Sequence, residues 1–308
     1  MDQSITLSFR PAVRENTPLV VGLAGPTKSG KTLSALRLAT GLAQGGTVAM
    51  INAEGPRGHQ YADRFKYLAC DLSAPFTPKK YLDALAEVKK IKPASLIVDS
   101  MSHMHDGPGG FIEMHEEIAE RMSGGDKAKK ERVTWAAWIE PKRLENEFIY
   151  SMLELSCPVI LCFRAKEKLK IVPGKQPIDL GWQPICSDRI TFETLFTLVL
   201  EPHAKGVPSL NISDMREPFD TMVKAEPINE DLGRRLIAWS KGAETKKETK
   251  KDGIIIADWE LVLKEAPDAA QLQALWAECQ AACKKAKDRD AREALLKVKD
   301  ARKKALGL

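Results

Sequence analysis

A chain of 308 residues with a net charge of +5 and 44% hydrophobic residues has room for one α/β domain and a small appendage. It has no run of about 18 apolar residues, which excludes a transmembrane helix, and Met1-Asp2-Gln3-Ser4 does not start a secretory signal. The six cysteines, Cys70, Cys157, Cys162, Cys186, Cys279 and Cys283, form no C-x-x-C pair and point to a reducing cytoplasm without a structural metal.

Ile5 to Val13 alternates in part and predicts an edge strand. Leu19 to Ala24 is short, apolar and β-branched, the composition of a buried strand. Gly25-Pro26-Thr27-Lys28-Ser29-Gly30-Lys31-Thr32 follows and fits the P-loop pattern G-x-x-x-x-G-K-[ST]. Leu33 to Ala43 then has helical spacing. Strand, glycine loop and helix in this order suit a triphosphate such as ATP, because the loop N–H groups and the helix N-terminus converge on the anion. Lys31 would reach the β- and γ-phosphates and the Thr32 hydroxyl would hold Mg²⁺. Lys28 either adds a phosphate contact or faces water.

Thr47 to Ala53 predicts a second buried strand, ending in Glu54. A carboxylate at the tip of a strand next to the P-loop strand can activate the attacking water, or can simply open the solvent-facing loop Gly55-Pro56-Arg57-Gly58. A short helix, a small strand near Tyr67 to Leu72 and a turn are expected before Pro78, and an amphipathic helix over Lys79 to Lys90. Ser95 to Asp99 is an apolar strand ending in an acid, the Walker B pattern, with Asp99 as a Mg²⁺ ligand. Ser102 and His103 stand where a polar residue can sense the γ-phosphate, although a hydrogen-bonded loop histidine accounts for His103 equally well.

Phe111 to Met122 reads as a helix, and Ser123 to Arg132 as a glycine-bearing, basic, weakly anchored segment. Lys127, Lys129, Lys130 and Arg132, followed by Trp135, combine phosphate neutralisation with a stacking face, which is what single-stranded DNA requires. Trp138 is assigned to packing and Trp135 is left open. Pro158 to Phe163 is a further buried strand, ending in Arg164-Ala165-Lys166. Arg164 and Lys166 point the same way if that strand continues, and could stabilise transition-state charge in cis or across a subunit contact. Leu169 to Trp182 has the character of a hairpin and Thr191 to Leu200 that of a strand.

Residues 1–242 are expected to form the main domain, 243–252 a charged linker and 253–308 a basic helical module. Trp259, Val262 and Leu263 mark its first helix, Leu272, Leu275, Trp276 and Cys279 its second, and Leu295, Leu296 and Val298 its third. From Lys284 to Lys304 there are ten basic residues against four acidic ones, a surplus of six that exceeds the whole chain's +5. That tail is either a nucleic-acid contact or a solvated helix face.

Together, GPTKSGKT, INAEGPRGHQYADRF from Ile51, LIVDSMSH from Leu96, the GPGG stretch, FRAK and Asp188-Arg189 resemble the phage-encoded AAA-type ATP-binding proteins, relatives of the RecA recombinase core. The resemblance covers roughly residues 15 to 240. It implies an α/β, RecA-like P-loop NTPase core with a mainly parallel sheet. It further implies Glu54 as the water-activating glutamate and a role across subunits for Arg164 and Lys166. The activity so implied is a phage or prophage recombination ATPase in the bacterial host cytoplasm, using ATP and Mg²⁺. It would bind single-stranded DNA as a homo-oligomeric ring or filament, for annealing or strand exchange. The alternatives are an ATP-dependent loader that binds a phage recombination or replication protein through its C-terminal module, a small-molecule P-loop kinase, and a nucleotide switch without turnover. No membrane partner is expected.

Overall fold

The computed structural model describes residues 18–171, 176–242, 259, 263–264, 266–286 and 289–306. Two compact units divide the chain, 1–245 and 246–308. The expected strand over Ile5 to Val13 and the expected linker 243–252 lie outside the described residues.

The apolar runs of the first unit become the inner strands of an open sheet. These are β1 (Val20–Gly25), β2 (Val48–Asn52), β4 (Ser95–Asp99), β5 (Val159–Lys170) and β7 (Phe196–Val199), joined by the exposed β3 (Leu68–Asp71) and by β6 (Ile178–Pro184). The sheet order is β3-β2-β4-β5-β1-β7, with β6 paired to β5. All neighbours run parallel except β5 and β6, which form the expected hairpin. This is the α/β class with a mainly parallel sheet, in accord with a RecA-like core. Glu54 therefore does not sit beside the P-loop strand, because β4 and β5 lie between β2 and β1.

Alternation along β1 assigns the two faces. Val21 and Leu23 pack with Leu36, Leu38 and Leu42 of helix α1 (Lys31–Ala43), while Val20 and Ala24 belong with Tyr81 and Leu85 of α2 (Pro78–Ile91). Helices α3 (Ser102–Asp106), α4 (Phe111–Ser123), α5 (Lys127–Ala137) and α6 (Ile139–Leu153) intervene between β4 and β5. Helix α7 (Asp188–Phe192) precedes β7, and α8 (Phe219–Met222) and α9 (Glu230–Ser240) close the unit. α9 lies against α1 with no room for side chains between them: a Cβ on Gly41 would meet the Glu230 carbonyl oxygen at 2.0 Å, and one on Gly233 the Leu38 carbonyl oxygen at 2.4 Å. Beside this contact Arg37 and Glu230 form an ion pair at 3.0 Å.

Three local expectations are corrected. Between Tyr61 and Pro78 there are turns and β3 but no helix, and the helical turn comes earlier as a 3-10 segment at Gly55–His59. The basic segment after Ser123 folds as α5, because the Asp126 side chain caps it by accepting from the Lys129 N–H at 3.0 Å and good helix formers follow. Thr191 belongs to α7 and not to a strand, since β7 pairs with β1 only over Phe196 to Val199.

In the second unit, helices Ala269–Ala286 and Arg289–Ala305 enclose a small core of Leu263, Ala266, Leu272, Cys279, Cys283 and Leu295. Trp259, Leu275, Trp276 and Val298 pack on it. Leu296 of the third helix is 39% exposed, because it follows Leu295 by a single residue and so turns away from the core. Val262 lies outside the described residues. Two tail cations have structural contacts: Arg302 donates to the Ala266 carbonyl at 2.9 Å, and Lys299 lies 5.4 Å from the Trp276 ring centroid.

Candidate functional site

The P-loop leaves β1 at Gly25, where a Cβ would meet the Leu200 carbonyl oxygen at 2.4 Å. Gly30 holds φ +99°, and a Cβ there would meet the Gly206 nitrogen at 2.7 Å. These close approaches leave the turn only the width of bare backbone. Helix α1 starts at Lys31, so its first N–H groups have no partner within the helix and open toward the loop. Inside the turn, Ser29 Oγ is buried without a hydrogen-bond partner. Lys31 Nζ donates to the carbonyls of Gly25 and Pro26, both at 2.8 Å. Burial lowers its pKa, with Asp99 and Glu54 among the charges that oppose the shift. Pro26 is half-buried, while Thr27 and Lys28 are exposed.

The end of the loop meets the end of β4. Thr32 Oγ1 donates to Asp99 Oδ2 at 2.7 Å. Asp99 is 1% exposed, and burial raises its pKa against the Thr32 hydrogen bond and the Lys31 charge. The next peptide bond, Asp99–Ser100, is cis.

Glu54 enters this corner from β2. Its N–H donates to Asn52 Oδ1 at 3.1 Å, and Asn52 Nδ2 donates to the Gly55 carbonyl at 2.8 Å and to Asp71 Oδ1 at 2.7 Å. Asn52, fully buried, is thus the residue that sets the Glu54 turn. Sequence reasoning missed it, although a lone amide at the end of an apolar strand was the available signal. Arg164, the register partner of Gly25, spans the distance left by the intervening strands. Its Nε and Nη2 donate to Glu54 Oε1 at 3.3 and 3.2 Å. Its Nη2 also donates to His103 Nε2 at 2.7 Å.

That last bond determines the histidine tautomer. With Nε2 accepting from a guanidinium, the ring is neutral and its proton is on Nδ1, which donates to Ser100 Oγ at 2.8 Å. Burial, and then the Arg164 charge, lower the His103 pKa in agreement. Ser102 Oγ accepts from the Arg164 backbone N–H at 2.8 Å. Both expected sensor residues therefore support Arg164, and through it Glu54. Ser100 is a second residue that sequence reasoning missed.

Lys166 is not brought into this cluster. It is exposed, two residues further along β5. The remaining candidates lie apart on α5. Lys127, Lys129 and Arg132 are exposed, Lys130 pairs with Glu120 at 2.9 Å, and Trp135 is 81% exposed. Trp138 stacks on His115 with centroids 4.2 Å apart, the packing role expected of it.

In comparisons with known proteins, the chain matches no family model and no curated protein. Among the described residues no helix is long and apolar enough to cross a membrane.

Proposed function

We propose that the chain is a P-loop ATPase that binds single-stranded DNA, working as a homo-oligomeric ring or filament in phage or prophage recombination. The observation that carries the ATPase reading is the 2.7 Å bond from Thr32 to Asp99, which joins the P-loop to the end of β4 beside a carboxylate held by Arg164. A hydroxyl and a carboxylate are hard oxygen donors that suit Mg²⁺. When bound, Mg²⁺ would neutralise charge on the β- and γ-phosphates.

The chain's own residues supply the rest. Lys31 exchanges its two carbonyl acceptors for phosphate oxygens. Glu54 uses Oε1 on Arg164 and keeps Oε2, which takes no hydrogen bond from a described residue, to receive a proton from water as that water attacks phosphorus. The new bond is water oxygen to γ-phosphorus, the bond broken is the β–γ bridge, and ADP leaves with phosphate. Arg164 holds the Glu54 carboxylate in place, and neutral His103 restrains the guanidinium from behind.

ATP turnover across a protein concentration series, with and without single-stranded DNA, tests this reading. DNA stimulation that rises more than linearly with protein and is lost in Lys31→Ala and Glu54→Gln is the expected result. Turnover that persists in both variants, or that ignores DNA and concentration, rejects it.

A further inference from the structure

A cavity of about 260 Å³ opens between α3, α4, α5, α6 and α7 of the first unit, apart from the P-loop. Most of its exposed lining is apolar, and Lys142, Glu145, Asp188 and Arg189 add two cations and two carboxylates. Phe111 and Pro141 form part of the lining, Trp138 is fixed there by its stack on His115, and Trp135 stands at the wall with 81% of its surface exposed. An indole left so open forgoes most of the burial that tryptophan ordinarily obtains in a folded chain.

Two polar groups among these walls are incompletely used. Glu145 is 6% exposed, and its Oε1 accepts from the Ser187 hydroxyl, but Oε2 takes no hydrogen bond from a described residue. His105 Nδ1 is buried with no partner. Burial lowers the His105 pKa against the opposing charges of Asp106 and Glu145. The cations Lys142 and Arg189 line the cavity itself, and Arg189 is held by donating to Asn146 Oδ1 at 2.7 Å. Arg132 lies one helical turn before Trp135 on α5.

We infer that this cavity takes one unstacked base of a single-stranded nucleic acid and favours bases that carry an exocyclic amino group. The inference rests on the nucleic-acid part of the reading above and is independent of the P-loop chemistry. The surrounding cations suit phosphates on either side of the base, and the aromatic walls suit its faces. The second Glu145 oxygen can accept from the N4 amino group of cytosine, whereas thymine presents a carbonyl at the same edge. An aromatic side chain from a second copy of this chain would fill the walls but leave Glu145 and His105 unpaired. An alkylammonium group would meet Glu145 and Asp188 but also Lys142 and Arg189, and it has no flat face for the indoles.

The test is binding of end-labelled oligo-dC and oligo-dT of equal length to the full chain at neutral pH, by fluorescence anisotropy with no nucleoside triphosphate present. Oligo-dC should bind about tenfold tighter than oligo-dT. Trp135→Ala should weaken both by about tenfold. Glu145→Gln retains an acceptor for Ser187 and should bring the two oligomers to near-equal affinity. Equal affinity of the two for the unaltered chain overturns the inference, as does Trp135→Ala binding like wild type. A Trp135→Ala effect confined to sedimentation of the DNA-free protein also overturns it, and assigns the cavity to self-association. None of these readings depends on ATP hydrolysis, so the failure of either proposal is visible separately.

Discussion

Where β1, β2 and β4 end, most polar side chains are joined in one hydrogen-bond network, with Ser29 Oγ and Glu54 Oε2 left without a partner among the described residues. Asn52 serves Glu54, Gly55 and Asp71, Arg164 serves Glu54 and His103, and Thr32 serves Asp99. At the α5–α6–α7 cavity the same unit leaves an indole in water, half a carboxylate unused and an imidazole nitrogen unpaired. A closed network fixes a geometry in advance of any ligand, as group transfer demands. An open set of donors and acceptors retains capacity for a partner that arrives later. The difference predicts that substitutions in the first region damage stability and turnover together, and that substitutions in the second alter binding alone.

The largest expected effect is on turnover. Arg164→Ala should lower kcat about 100-fold by freeing the Glu54 carboxylate, with partial recovery in Arg164→Lys. Single-turnover hydrolysis would measure this, and an unchanged kcat would show that Glu54 needs no support. Next is Asn52→Ala, which strands the half-buried Glu54 N–H and Gly55 carbonyl; about 2 kcal/mol of stability should disappear in urea unfolding, together with much of the turnover.

Smaller is a pH effect. His103 and His105 both have lowered pKa values in the folded chain, chiefly through burial, so the unfolded chain binds more protons at mildly acidic pH. Stability is therefore full above the ordinary imidazole value of about 6.5 and is lost as pH falls from there through the lowered folded values. Urea midpoints down to about pH 5 should show this decline, and His103→Gln should reduce its slope. The smallest effect is on the open side: Trp135→Ala should change stability by no more than about 0.5 kcal/mol, despite its expected effect on DNA binding. A large loss of stability would instead make Trp135 part of the core.

The closed region was partly legible. Glycine spacing between an apolar strand and a helical pattern locates the P-loop, because the local conformation requires those residues. Strand order has no such local signature. The stretch from Ile51 to Glu54 places a carboxylate at a strand tip but does not reveal that two strands come between it and β1. Hence the bond from Arg164 to Glu54 within one chain could not be read, and neither could the support that Ser102 and His103 give to Arg164. The stretch from Lys127 to Ala137 shows the opposite error. Its polarity concealed a helix whose cap, Asp126, and alanine, lysine and glutamate content were visible in the sequence. In Thr191 to Leu200 the apolar alternation was read as one strand, whereas the neighbour β1 accepts only four of those residues.

Arg37 and Glu230 are 193 positions apart in the chain, yet they meet where α9 seals the outer side of α1. A ribosome releases α1 early and α9 only after almost all of the first unit has emerged. During that interval Leu38 and Leu42 lack the cover that Leu232 and Leu236 later provide. A nascent chain halted before Glu230 thus lacks the helix that covers the outer side of α1. The apolar cover of α1, the helix that begins with Lys31 and Thr32, is therefore completed only by the last helix of the unit to be synthesised.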